Sequence, residues 1–230
     1  MSTRALPSPS SLWETHVERV LAVLCLALER LHALSGLPEA EEELDRHLLV
    51  LAREAYFHLP TSQRPQSLAL FPKAEHTPLN AQQAREDWVR RKPDFKWRLQ
   101  NDHGRSPAEV TMDLDIESKR LGNPTSRGWV LTEQYVVSGI VRFLSPDHRY
   151  GNGVGSGAMI GYLQDSEPSA ILAEVNEHIA AATRCQIPQI AFPASSEGWP
   201  AVSNACQRLN RASVRPSVFD LHHLWADLRA

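Results

Sequence analysis

From Leu12 to Leu34 apolar positions recur with helical spacing, and Ser11 with Glu14 reads as a capping box at the start of that helix. Gly36 and Pro38 stop it. Pro38 then opens a second helix reaching about Leu59, with Glu39, Glu41, Glu42 and Glu43 at its positive end. Two such segments joined by a short turn predict an antiparallel helical hairpin. Residues 60–79 are proline-rich and aperiodic, which predicts a surface loop, and Asn80 is placed to cap a short helix, AQQAREDWVRR.

The period then changes from helical to alternating. Phe95, Trp97 and Leu99 alternate with Lys96, Arg98 and Gln100, and EVTMDLDIESKRLG (109–122) alternates again after the turn-forming NDHGRSP. These are the two strands of a β-hairpin. WVLTEQYVVSGIVRFL reads as a helix with Thr132 as its cap, AMIGYL as a buried strand, and SEPSAILAEVNEHIAAAT as a helix with proline in its first turn. IPQIAF and SVFDLHHLW complete the strand candidates. The order predicts an α/β fold, a mixed central sheet flanked by helices behind an N-terminal helical hairpin. The expected organisation is a flexible segment 1–10, the hairpin with its loop over 11–79, and a second unit over 80–230.

The returning strand is odd in its charges. Thr111, Asp113, Asp115, Glu117 and Lys119 share one face, so three carboxylates and one ammonium stand in a row. Like charges on one strand face repel and are costly beside a core. Folding the hairpin about a turn near residue 105 puts Asp94 opposite residue 116 and within a residue of Glu117. Two carboxylates that close need a positive charge between them. A hard divalent cation such as Mg²⁺, with Mn²⁺ as a substitute, supplies it, prefers oxygen ligands, and activates water against a phosphoryl group. Lys119, two residues past Glu117, would orient that water or stabilise the pentavalent phosphorus.

Pro93-Asp94 followed after an interval by Glu117-Ser118-Lys119 resembles the PD-(D/E)xK nuclease superfamily, the restriction-endonuclease-like fold. The resemblance covers the motif itself and extends, through its strand–turn–strand–helix context, to about residue 165. It implies Asp94 and Glu117 as metal ligands, Ser118 as a ligand through its backbone carbonyl, and Lys119 as the catalytic lysine. Asp115 is either a second metal ligand or a neighbour of the site, and Asp113 is expected in solvent. The helix from Leu131, with Glu133, Gln134 and Tyr135, would pack over the site, although it lacks the QxxxY spacing of the RecB-like branch. A helix before the hairpin would supply a further acid, with Glu54 and Glu86 as candidates. The implied function is a metal-dependent nuclease, an endonuclease acting on DNA rather than RNA, in a restriction or anti-phage defence system. The alternative is a nuclease-like protein that binds nucleic acid or a partner without cutting.

Composition sharpens this picture in places. The net charge of −3 argues against a general polyanion binder, but residues 1–60 hold the excess acid. Basic residues gather around the acidic strand, and Lys96, Arg98, Arg120, Arg127 and Arg142 are the candidates for phosphate contacts. The acidic helical hairpin is the expected docking surface for a helicase/ATPase or other protein subunit. GNGVGSG (151–157) lacks the lysine and Ser/Thr of a P-loop and reads as a flap or chain reversal rather than a nucleotide site. Trp97 and Trp129 read as core residues rather than base-stacking platforms. Cys25, Cys185 and Cys206 form no metal pattern, and adjacent His222 and His223 would point to opposite strand faces. VLAVLCLAL is too short to span a membrane, and Met1–Ser11 does not read as a signal peptide, so no membrane association and a cytoplasmic location are expected.

Overall fold

The computed structural model describes residues 9–73, 92–104, 106–124, 128–182, 186–193 and 198–229. Helices α1 (Pro9–His32) and α2 (Glu41–His58) form the expected hairpin, turning at Gly36, whose φ of +67° suits glycine. Helix α1 begins at Pro9, ahead of Ser11, so Ser11 is not its cap. Strand β1 (Leu70–Pro72) follows within the stretch expected to be a loop. Strand β2 (Phe95–Gln100), the short helix α3 (Pro107–Val110) and strand β3 (Thr111–Leu121) make the hairpin. The helix after β3 is composite: α4 (Leu131–Tyr135), a π-helical turn (Val136–Ile140) and α5 (Val141–Leu144). Strand β4 (Ser156–Leu163), helix α6 (Pro168–Ala181), strand β5 (Val202–Asn210) and strand β6 (Val218–Asp227) complete the chain.

The strands form one mixed sheet of order β1-β2-β3-β4-β6-β5. β1, β2 and β3 are antiparallel, β3–β4 and β4–β6 are parallel, and β5 returns antiparallel to β6. The central β4 is buried along its whole length, as a strand covered on both faces must be. On one face, Leu114, Ile116, Ile160 and Tyr162 join Trp97 and Leu224 in a core roofed by Val20, Leu24 and Leu28 of α1 and Leu44 and Leu48 of α2. The N-terminal hairpin therefore shares its core with the sheet. On the other face, Leu121, Met159 and Trp225 pack with Tyr135, Ile140, Ile171 and Val175 from the helices after β3. No helix among the described residues is long and apolar enough to cross a membrane.

Several expectations are corrected. IPQIAF is extended but forms no ladder; the Asn176 amide instead brackets Ile190, accepting from its N–H at 2.8 Å and donating to its carbonyl at 3.0 Å. Thr132 lies inside α4, with Val130 at the cap position, and its hydroxyl donates to Glu174. Trp97 is fully buried, but Trp129 is 51% exposed and is not a core residue. The predicted helix after Asn80 and Arg127 lie outside the described residues.

Candidate active site

The hairpin register is Phe95↔Ile116, Lys96↔Asp115 and Arg98↔Asp113, one residue from the register expected for a turn near 105. That single step decides the charge pattern. Arg98 donates two hydrogen bonds to Asp113, at 2.7 and 3.0 Å, and Lys96 lies 3.6 Å from Asp113 and 3.3 Å from Asp115. Two rungs of the acidic row are thus neutralised by cations from the facing strand. Burial disfavours the Lys96 ammonium, yet Asp115 and Asp113 outweigh it and hold its pKa above the usual lysine value. Burial pushes the Asp113 carboxyl up, but Arg98 and Lys96 prevail and bring its pKa below normal. Lys96 and Arg98, expected to contact phosphates, are engaged in the sheet, and Asp113 is ion-paired rather than solvated.

Continued one rung further, the same register brings Asp94 level with Glu117, and both are acids. The hairpin offers no cation there. Strand β2 has ended, so the N–H groups of Ser118 and Arg120 on β3 have no strand partner and bond carboxylates: Ser118 N–H to Asp94 at 3.0 Å, and Arg120 N–H to Glu41 at 3.1 Å. Glu41 arrives from the first turn of α2. Lys119 Nζ lies 3.0 Å from Glu117, 3.0 Å from Glu41 and 3.6 Å from Asp94, and it also donates to the Ser118 carbonyl. Arg142 of α5 donates to Glu117 at 2.5 Å, and Lys73 is 3.5 Å from Asp94.

These groups surround a cavity of about 250 Å³, to which Leu131, Gln134, Ser138 and Arg142 contribute one helical face. The helix does pack over the site, but Glu133 is not among its lining, and Tyr135 is buried in the core with Trp225 and His223. Gly139 in the π-helical turn lets the helix approach the sheet, because a Cβ there would meet the Met159 side chain and stand 3.8 Å from Lys119 Cγ.

The electrostatics follow from burial. Glu117 is fully buried; burial lifts its pKa to about 7, with Lys119 pulling down and Asp94 pushing up. Its Oε2 has no hydrogen-bond partner. Burial weighs against the Lys119 charge, but Glu117, Asp94 and Glu41 together keep it a firm cation. Behind the site, Asp45 accepts from Tyr162 Oη at 2.8 Å and lies 2.9 Å from Ser118 Oγ, which is also 3.2 Å from Asp94. One hydroxyl proton cannot serve both carboxylates. A proton on Asp45 resolves this, since Ser118 then accepts from Asp45 and donates to Asp94. Consistent with it, burial and the neighbouring Asp94 raise Asp45 to about pKa 7.

Raised folded-state values mean that the stabilising proton is fully present below the unfolded pKa and lost as pH rises through about 7. Wild type should therefore lose stability from pH 5 to pH 8 more than Asp45→Asn does, by on the order of 2 kcal/mol in urea denaturation. Equal pH slopes would show that Asp45 does not hold this proton.

Chemically, oxygen donors of the kind a hard cation takes line the cavity: the carboxylates of Glu41, Asp94 and Glu117, the last with its buried Oε2 unpartnered. Among the described residues, no group of three or more His, Cys, Asp or Glu side chains is arranged to hold a metal ion by itself. The Lys119 ammonium stands among the acids, so a cation would draw on Asp94, Glu117, the Ser118 carbonyl and water beside it. Asp115 is held apart from this group by Lys96 and by the Gly151 N–H, which donates to it at 2.7 Å. Arg120 lines the same cavity while its Nε donates to Gln164 at 2.6 Å. Glu54, one of the acids expected to help, instead faces Arg30 at 3.9 Å, and Glu86 lies outside the described residues. The acid that sequence reading missed is Glu41.

Comparison with protein-family models, with curated proteins and with solved structures finds no match for this chain.

Proposed function

We propose that this protein is a metal-dependent nuclease of the restriction-endonuclease-like type, hydrolysing phosphodiester bonds at Asp94, Glu117 and Lys119. The observation that carries the reading is the break in the charge ladder. Two rungs of the hairpin pair an acid with a base, and the third brings two acids together at the point where β2 ends, with a buried lysine beside them. A structural role would be served by a third acid–base pair.

In this reading Asp94, Glu117 and the Ser118 carbonyl would hold Mg²⁺ or Mn²⁺, which when bound polarises a phosphoryl oxygen and activates water. Lys119 orients that water and balances charge at phosphorus. Arg142, already on Glu117, and Lys73, on Asp94, border the cavity and meet the phosphate's remaining oxygens. Glu41 fixes Lys119 from the opposite side, and Asp45 fixes Ser118 and through it Asp94. DNA is the proposed substrate and the cytoplasm the proposed location, with service in a restriction or anti-phage system. A partner subunit on the helical hairpin would meet α2, where Val50 and Phe57 are exposed.

The test is incubation of the full chain with plasmid and with single-stranded DNA or RNA, in Mg²⁺, Mn²⁺ or EDTA, beside Asp94→Asn. Asp94→Asn retains an oxygen for the Ser118 N–H while removing the charge. Metal-dependent cleavage by wild type, reduced about 100-fold or more in the variant, is expected. Cleavage that survives EDTA, or equal cleavage by both proteins, refutes the assignment. If neither protein cuts any substrate, the non-cutting reading replaces it.

A further inference from the structure

Beside the reaction cavity lies a second, larger one of about 460 Å³, and the two share Glu41, Arg120, Trp129 and Leu131 as a common wall. The wall's aromatic member is unusual. Trp129 is 51% exposed, unlike the buried Trp13, Trp97 and Trp225, and none of the hydrophobic core clusters includes it. An exposed indole at a cavity wall is a costly surface unless something flat covers it. Besides Ala40, the rest of the lining is charged: Arg46 joins the shared Arg120 on one hand, and Glu42 and Glu43 of the first turn of α2 stand on the other.

Resting on the nuclease reading of the adjacent site, we infer that this second cavity receives an unpaired nucleobase of the strand whose phosphate is cut. Three features converge on that occupant. The Trp129 face offers stacking that any base can use. Glu42 and Glu43 repel phosphate, so the backbone is turned toward Arg142 and Lys73 while the uncharged base enters. The same carboxylates can accept hydrogen bonds from the pairing-edge N–H groups of a base, of which the ring N–H of guanine or thymine is free only when the base is unpaired. A paired base inside a duplex cannot reach a stacking wall beside the reaction cavity without leaving its stack. The substrate class is therefore single-stranded nucleic acid, or duplex with a flipped or frayed nucleotide at the cut.

The experiment measures binding in EDTA, so that no cutting intervenes, by anisotropy of labelled oligomers of about 12 nucleotides. The three probes are a single strand, its blunt duplex, and a strand of abasic residues with the same phosphates. Wild type should bind the single strand about tenfold or more tighter than either of the others. Trp129→Ala should abolish that preference, Trp129→Phe should keep most of it, and unchanged urea midpoints should accompany both. A wild type that binds base-bearing and abasic strands alike overturns the inference, and so does a Trp129→Ala protein that keeps the preference. Cleavage assays separate the two readings. A Trp129-dependent preference without cleavage would sink the nuclease and spare the base site, and cleavage without that preference would do the reverse.

Discussion

Lys119→Met should abolish metal-dependent cleavage, by about 1,000-fold or more, and at the same time destabilise the metal-free protein. Methionine keeps the apolar stem and removes only the ammonium. In its absence Asp94, Glu117 and Glu41 converge with no cation between them, and Arg142 and Lys73 can answer only Glu117 and Asp94. Removing one partner from a buried ion cluster costs about 3 kcal/mol or more, because the remaining charges are left desolvated and repelling. The informative readout is the response to divalent cation. A site that takes Mg²⁺ should bind it more tightly once the competing ammonium is gone, and a ligand stabilises by RT ln(1 + [L]/Kd). Millimolar Mg²⁺ or Mn²⁺ should therefore raise the melting temperature of Lys119→Met more than that of wild type. Cleavage at the wild-type rate would dismiss Lys119 from catalysis. A melting temperature indifferent to both cations in both proteins would dismiss the metal site even if the lysine mattered.

The same residues show what a sequence discloses of such a site. Alternation located β2 and β3, and the pairing of Asp94 with Glu117 and Lys119 was legible because all three lie on one hairpin. The register was not. A turn near 105 put Asp94 opposite Ile116, and a slip of one residue moves a side chain to the other face of the sheet. With the observed register, Lys96 and Arg98 face Asp115 and Asp113 and leave the acid pair alone at the end. The crowding of acids that first suggested a metal is thus mostly relieved by protein cations, and only the last rung needs another explanation. Glu41 was hidden for a different reason: an acid in the first turn of a helix is already accounted for by the helix dipole, and nothing local reveals that α2 aims it at β3. Strand β5 escaped because its inward positions are Ser203, Ala205, Gln207 and Leu209, too polar for an apolar alternation. Strand β1 escaped because it is three residues long and ends in Pro72.

Arg211→Met should be the most damaging substitution away from the active site, lowering stability by about 3 kcal/mol or more. Nothing in the sequence marks this arginine, yet it is 1% exposed, and its hydrogen bonds run to backbone carbonyls rather than to a carboxylate. It donates to Pro216 from Nε at 3.0 Å and from Nη2 at 2.9 Å, to Tyr150 at 2.9 Å, to Gly151 at 3.2 Å and to Phe143 at 3.4 Å. Its guanidinium lies 3.9 Å from the centre of the Phe219 ring. Burial lowers its pKa to about 10, which leaves it charged at neutral pH. One side chain thus ties the end of α5, the start of the glycine-rich loop and the β5–β6 turn. At Gly151 the loop it holds offers no N–H to a phosphate, because that N–H is taken by Asp115, and Gly151, at a φ of +61°, packs against Phe219. Methionine would strand several buried carbonyls at once, each costing about 1–3 kcal/mol when left unpaired and dry. Lysine restores the charge but its compact ammonium cannot span the same carbonyls as a planar fork, so Arg211→Lys should recover only part of the loss. Urea denaturation monitored by circular dichroism orders the three proteins as wild type, lysine, methionine. An Arg211→Met protein within about 0.5 kcal/mol of wild type would show that the carbonyls find other donors and that the loop does not depend on this clamp.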